Sequence, residues 1–250
     1  MRILVSLLAL SSGAFAATPP PTSLAWILDQ HTLARGGRNA IEAVHSIQMD
    51  VTIEEPTYSA EGRYAATRDG SMRIDVYIGG ERVFTEALDR GRTWSMAQGD
   101  QAASAAGSDA GAAALRHSVE APLKLFGLHE MQGRGHQLDY AGRLTIEGVD
   151  YYVIEATLDD GYRTTYYLNP STWLIERERQ QRALHVDNDP TPEWIETVFE
   201  DYRAVAGVQY SHRQVERRVA TGDMLATTTV RRITVNPLLD PAQFQQPSAH

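Results

Sequence analysis

The stretch Asp159-Asp160-Gly161-Tyr162-Arg163-Thr164-Thr165-Tyr166-Tyr167-Leu168-Asn169-Pro170-Ser171-Thr172-Trp173-Leu174-Ile175-Glu176-Arg177-Glu178-Arg179 decides the fold. Two runs rich in β-formers flank the turn Asn169-Pro170-Ser171-Thr172, which predicts an antiparallel hairpin. Units of the same make recur outward in both directions. On the C-terminal side, strands are expected near 194–202, 209–220 and 224–235, interrupted by the loop Asn188-Asp189-Pro190-Thr191-Pro192. On the N-terminal side they are expected near 137–140, 144–147 and 151–158. Further back, Ile47, Met49, Val51 and Ile53 alternate with Gln48, Asp50, Thr52 and Glu54, as in a strand with one wet face. Strands near 59–68, 72–78, 82–88 and 93–97 follow it, with turns at Asp69-Gly70, Gly79-Gly80 and Arg90-Gly91.

Three segments break this rhythm. Leu24, Ile27, Leu28 and His31 recur at helical spacing after a cap at Thr22 or Ser23, and Gly36-Gly37 closes that helix. A short helix is expected over 38–44. Residues 99–111 are nearly all Gly, Ala, Ser, Asp and Gln and are expected to form a mobile loop. Between Ala112 and Leu128, Leu115, Val119, Leu123 and Phe126 form an apolar stripe, within which Pro122 must kink the helix or start a second one. The tail, Asn236-Pro237-Leu238-Leu239-Asp240-Pro241, cannot pair as a strand.

About eleven to thirteen antiparallel strands are too many for a flat open sheet. The expected fold is α+β, mainly β: a single curled antiparallel sheet forming an unclosed β-barrel covered by helices. Its concave apolar face must be covered, and the central helices at 112–128 are available for that. An apolar trough under a helical lid suits an oily ligand.

The chain has 250 residues, a formal net charge of −9, no cysteine and a single lysine, Lys124. Without cysteine there is no disulfide, thiolate nucleophile or sulfur-ligated zinc. Charges of both signs are interspersed, so nucleic acid is not an expected partner. Residues 1–16, MRILVSLLALSSGAFA, carry one basic residue, an apolar run from Ile3 to Leu10 and the small-x-small sequence Ala14-Phe15-Ala16. This is the pattern of a signal peptide cut after Ala16. No stretch approaches the roughly 20 apolar residues of a spanning helix, and no cysteine is available for lipid attachment. A soluble periplasmic protein with one domain over 17–250 is expected.

No catalytic constellation stands out. Among eight histidines, none sits in a His-Glu-x-x-His pair, and His136 follows His129-Glu130 at the wrong spacing for one helical face. Gly107-Ser108-Asp109-Ala110-Gly111 lacks the strand-to-helix setting of a nucleophile elbow. Gly133-Arg134-Gly135 reads as a plain turn, and Asp159-Asp160 as turn-forming aspartates. Neither an enzyme nor a metal site is expected.

One set of residues resembles the LolA-like periplasmic carriers and their outer-membrane lipoprotein-sorting relatives. It runs from Ala34-Arg35-Gly36-Gly37 with Ile41 to Ser46-Ile47, then through Tyr166-Tyr167-Leu168-Asn169-Pro170-Ser171-Thr172-Trp173-Leu174-Ile175. It continues with Phe199-Glu200-Asp201-Tyr202 and Val205-Ala206-Gly207-Val208, and ends with Ile233-Thr234-Val235-Asn236 before Leu239-Asp240-Pro241-Ala242-Gln243-Phe244. The resemblance implies an unclosed barrel under helices that binds acyl chains of lipid or lipoprotein, with no cofactor or metal. It also implies inner- and outer-membrane envelope proteins as donor and acceptor, and a monomer is expected. In such carriers a strand arginine latches the lid, and Arg63 or Arg73 is the candidate here.

The residues expected to line the trough are Met49, Val51, Ile53, Ile74, Val76, Ile78, Trp94, Met96, Ile146, Ile154 and Leu168. Alternation says which of them share a face, not which face is concave. The expected lid residues are Leu115, Val119, Leu123 and Phe126; the same stripe also fits a helix packed permanently on a core. The alternative on the same scaffold is a non-catalytic envelope sensor or adaptor with Trp94, Trp173 or Trp194 as surface anchors.

Overall fold

The computed structural model describes residues 22–97, 104–184 and 189–247; the expected signal peptide lies outside them. The Ser23 hydroxyl accepts a hydrogen bond from the Trp26 amide at 3.2 Å and opens α1 (Leu24–Ala34). Gly36 ends it at φ +122°, where a Cβ would sit 1.9 Å from the Gly207 carbonyl oxygen. No side chain fits there, and the close approach lets the Gln209 amide donate to the Arg35 carbonyl at 2.9 Å. After α2 (Arg38–Glu42) come β1 (Ser46–Glu54), β2 (Ser59–Thr67), β3 (Met72–Ile78), β4 (Glu81–Asp89), β5 (Arg92–Ala97) and the two-residue β6 (Ala105–Ala106). The helices α3 (Asp109–Glu120) and α4 (Leu128–Met131) lead to a second meander. It comprises β7 (Gln137–Ile146), β8 (Val149–Thr157), β9 (Arg163–Leu168), β10 (Ile175–Arg182), β11 (Glu193–Val205), β12 (Val208–Arg218) and β13 (Met224–Val235).

Among the described residues, all thirteen strands form one sheet in the order β6-β5-β4-β3-β2-β1-β13-β12-β11-β10-β9-β8-β7. The two meanders join where β13 pairs antiparallel with β1, and the outer strands β6 and β7 do not pair. This topology places the lid: the chain leaves the sheet at one edge and re-enters at the other, so α3 and α4 must cross from edge to edge.

Two sequence expectations change. Strands near 137–140 and 144–147 are one strand, β7, with a bulge between Tyr140 and Gly142 that absorbs the extra residue. The expected loop 99–111 divides: 99–103 lie outside the described residues, Ala105–Ala106 pair with Trp94 and Ser95, and α3 already begins at Asp109. Alanine's helix preference and the Ser108 cap, whose hydroxyl accepts from the Gly111 amide at 2.9 Å, account for the early start. Pro122 ends α3, since the preceding Ala121 is extended at φ −55°, ψ 137°.

The core has two halves on the concave face. One packs Phe126, Leu125 and Val119 against Ile47, Tyr64, Met72 and Tyr210. The other packs Ile27, Leu28, Leu128 and Met131 against Leu138, Ile154, Tyr166, Leu168 and Phe199. On the convex face the chain's tail, Pro241–Phe244, folds as a 3-10 turn that buries Phe244. Trp94 Nε1 donates to the Phe244 carbonyl at 2.8 Å, and Arg73 Nη1 donates to the Gln243 carbonyl at 2.8 Å. Trp94→Phe removes the donor and part of the buried indole, and a loss of roughly 2 kcal/mol or more in urea unfolding is expected. An unchanged midpoint would mean that the tail is not held there.

Candidate functional site: a lidded cavity

Three sets of polar contacts fix the lid. Below the break at Pro122, Arg35 from the end of α1 is 3% exposed and points its guanidinium at the irregular linker between α3 and α4. Its Nη1 donates to the carbonyls of Pro122 at 2.6 Å and Phe126 at 3.0 Å, and its Nη2 to Leu123 at 3.4 Å. These carbonyls have no helical partner once proline has ended the helix. Burial pulls the Arg35 pKa below the ordinary guanidinium value, yet arginine stays charged in proteins. At the start of α4, Glu130 accepts from the Gly127 amide at 2.7 Å and from Arg68 at 2.6 Å. On α3 itself, Arg116 pairs with Asp159 and Asp160 in the β8–β9 turn, and His117 Nε2 lies 2.7 Å from Asp160.

Between α3 and the sheet, mostly its second meander but also Met49, Phe84 and Glu86 of the first, lies a cavity of about 810 Å³, within the range of small-molecule sites. Its roof on α3 is mostly small, with Ala110, Gly111, Ala113, Ala114 and Ser118 beside Leu115 and His117, and Leu123 follows from the linker. Its floor is mixed, with Ala156, Leu158, Ile175 and Phe199 beside Tyr166, Tyr202, Thr197, Glu178, Gln180, Gln214 and Glu216. Burial pushes the Glu178 carboxyl up to about 7, partly offset by Lys124. Burial likewise lowers the Lys124 ammonium, which sits 5.2 Å from the Tyr64 ring centroid. No carboxylate among the described residues comes within 4.0 Å of Lys124; Glu216 is taken by Arg182 at 2.8 Å. Two further polar groups face the space without hydrogen-bond partners among the described residues, the Tyr210 hydroxyl and His31 Nε2. His31 Nδ1 donates to the Trp173 carbonyl at 2.8 Å, and burial beside Arg35 pushes its pKa down to about 3, so the ring is neutral.

Of the expected trough residues, Met49 lines the cavity. Val51, Ile53 and Ile74 gather around Gly62 on the same sheet face but beyond the cavity walls, and Val76 is paired with Gly62 beside them. Ile154 and Leu168 are fully buried in the neighbouring core. The other four are placed elsewhere. Trp94 faces the tail on the convex side, and Met96, two residues on, shares that face. Ile146 packs with Tyr151, Val153 and Tyr167 in an outer cluster, and Ile78 is 48% exposed at the β3–β4 turn. Alternation was read correctly along β5, but its inward residues are Thr93 and Ser95, not the larger pair.

Of the expected lid residues, Leu115 and Leu123 line the cavity, whereas Val119 and Phe126 are buried in the core. Phe126 lies between two guanidiniums, Arg134 at 3.5 Å and Arg68 at 4.7 Å. Neither expected latch touches the lid among the described residues: Arg63 pairs with Asp50 at 3.3 Å and Arg73 with Asp75 at 2.7 Å. The contacts expected of them are made by Arg35. Of the candidate surface anchors, Trp94 is buried, Trp173 stacks on Tyr152 at 4.9 Å, and Trp194 is 52% exposed.

The site is thus an unclosed antiparallel barrel with helices laid across it and a cavity beneath them. Similar solved structures have the same architecture. A LolA superfamily protein from Nitrosomonas europaea superposes with a TM-score of 0.58 at 10% identity, over 90% of this chain and 98% of its own. A DUF1329 family protein from Desulfovibrio piger gives 0.56 at 13% identity, over 88% and 96%. A domain assigned to outer-membrane lipoprotein sorting in Vibrio parahaemolyticus gives 0.55 at 12% identity, over 87% and 95%. No family model and no curated relative matches the sequence. The chain therefore has the LolA-like fold. Among the described residues, no helix is long and apolar enough to cross a membrane.

Proposed function

We propose that the protein is a soluble periplasmic carrier that encloses the acyl chains of a lipid or lipoprotein beneath α3. The observation that carries this reading is the cavity of about 810 Å³ under a roof rich in alanine and glycine. A helix meant only to fill the core would present large side chains there; this one leaves room. Each methylene moved from water into such a space contributes about 0.8 kcal/mol. The LolA-like fold supports the same reading through a structure assigned to lipoprotein sorting. The mixed floor adds a refinement: Lys124, Tyr210 and His31 suit a cargo whose polar head is drawn inside with its chains.

Native mass spectrometry of protein purified from the periplasm, followed by organic extraction and lipid analysis, tests the proposal. Co-purifying phospholipid or acylated peptide is the expected result. Ala113→Trp should fill the roof and weaken binding of a fluorescent fatty acid at least tenfold, which is about 1.4 kcal/mol. A protein that carries no lipid and takes up no fatty acid would sink the carrier. It would favour an adaptor that docks a protein through the exposed Trp194 and its neighbours Val219 and Met224, which are 41% and 49% exposed.

A further inference from the structure

At the far end of α3, three side chains from separate elements converge. Glu120 is the last residue of α3, His136 immediately precedes β7, and Asp159 lies in the β8–β9 turn. One ligand atom from each lies within 4.8 Å of the other two, and this is the one such group among the described residues. His136 is 5% exposed, and neither of its ring nitrogens has a hydrogen-bond partner among the described residues. Its Nε2 lies 2.9 Å from Glu120 Oε2, near enough for an ion pair, yet the two are out of line for a hydrogen bond. Glu120 Oε2 is itself buried without a hydrogen-bond partner among the described residues. Buried polar atoms without partners are uncommon and call for an explanation. An imidazole nitrogen and a carboxylate oxygen converging beside a second carboxylate, that of Asp159, are the donor set of a cation.

We infer that Glu120, His136 and Asp159 form a binding site for a divalent cation of the zinc class, which clasps the end of the lid helix to the rim of the sheet. One imidazole and two carboxylates with a water in the fourth position suit zinc better than calcium or magnesium, which prefer all-oxygen shells. Two guanidiniums stand beside the site: Arg134 Nη2 is 3.6 Å from Glu120 Oε2, and Arg116 Nη1 is 3.0 Å from Asp159 Oδ1. In the absence of metal they balance the carboxylates. A bound cation displaces Arg116 from Asp159, and Arg116 keeps its second partner, Asp160. Because the ligands come from α3, the residue before β7 and the β8–β9 turn, binding ties together parts that must separate if the lid lifts.

Titration of the tag-free, chelator-treated protein with zinc chloride by calorimetry tests the site, with cobalt(II) as a spectroscopic stand-in. One equivalent should bind, with visible cobalt bands of a nitrogen- and oxygen-ligated ion. His136→Gln should abolish binding, and Asp159→Asn, at an exposed turn position that leaves the core intact, should weaken it at least tenfold. His45→Gln, remote and exposed, should bind like the parent. Zinc should also slow amide exchange at residues 117–121 in the parent but not in Asp159→Asn. No binding by the parent, or binding that survives in both His136→Gln and Asp159→Asn, would overturn the inference.

Discussion

Replacing Arg35 by methionine is expected to lower stability by about 3 kcal/mol and to loosen the lid. Three carbonyls of the segment that follows α3 depend on this guanidinium, two of them at 2.6 and 3.0 Å. Hydrogen bonds to a charged donor are worth about 1.5–3 kcal/mol each, and removing the cost of burying the charge offsets part of the loss. Methionine fills similar space, so the change isolates the polar contacts from packing. Urea unfolding gives the first readout. Amide exchange gives the second, and it should accelerate in residues 121–127 while the β11–β12 hairpin stays protected. Arg35→Lys should recover only part of the stability, because one ammonium cannot reach all the positions that the guanidinium fork spans. A methionine variant with unchanged exchange in 121–127 would show that packing alone retains the lid.

Glu178→Gln is expected to stabilise the protein above neutral pH by roughly 2–3 kcal/mol and to leave it unchanged near pH 4.5. The carboxyl lies in the cavity floor, and burial raises it from 4.5 to about 7. Between those values the native state holds a proton that the unfolded chain has released. Stability is therefore full below pH 4.5, declines as pH rises toward 7, and stays reduced above it. Lys124, Glu216 and Arg182 face the same group; the lysine limits the penalty and Glu216 adds to it. Unfolding free energies measured from pH 4.5 to pH 8 should slope downward in the parent and flatten in the glutamine variant. Equal slopes would place the carboxylate in contact with water. The same titration bears on cargo, since a head that pairs with Lys124 would alter the proton count on binding.

Much of the architecture was legible in the chain. The period-two runs, the Asn169-Pro170-Ser171-Thr172 turn and the paired glycines marked the hairpins, and pairing within each meander followed their order. The lid segment was legible as well, from its apolar stripe and from Pro122, which divides it where the helix ends. The site was less legible. Arg35 stood in a quoted motif, but its role depends on where α1 ends relative to a segment nearly 90 residues away. Lys124 carried a weak signal as the single lysine, set within the apolar run Leu123-Lys124-Leu125-Phe126. Glu178 was hidden by a register shift in β10 between Ile175 and Arg177, which moves the inward position by one residue.

What the sequence determined by itself is local: which residues extend, where they turn, and which side chains share a face, because backbone sterics and side-chain periodicity act over a few residues. Tertiary structure alone decided which face became concave and which alanines left a cavity open. It also decided which arginine holds the lid and that Glu120, His136 and Asp159 meet. Those outcomes depend on sheet curvature and on a chain path from one free edge to the other, so they arise only when distant segments pack together.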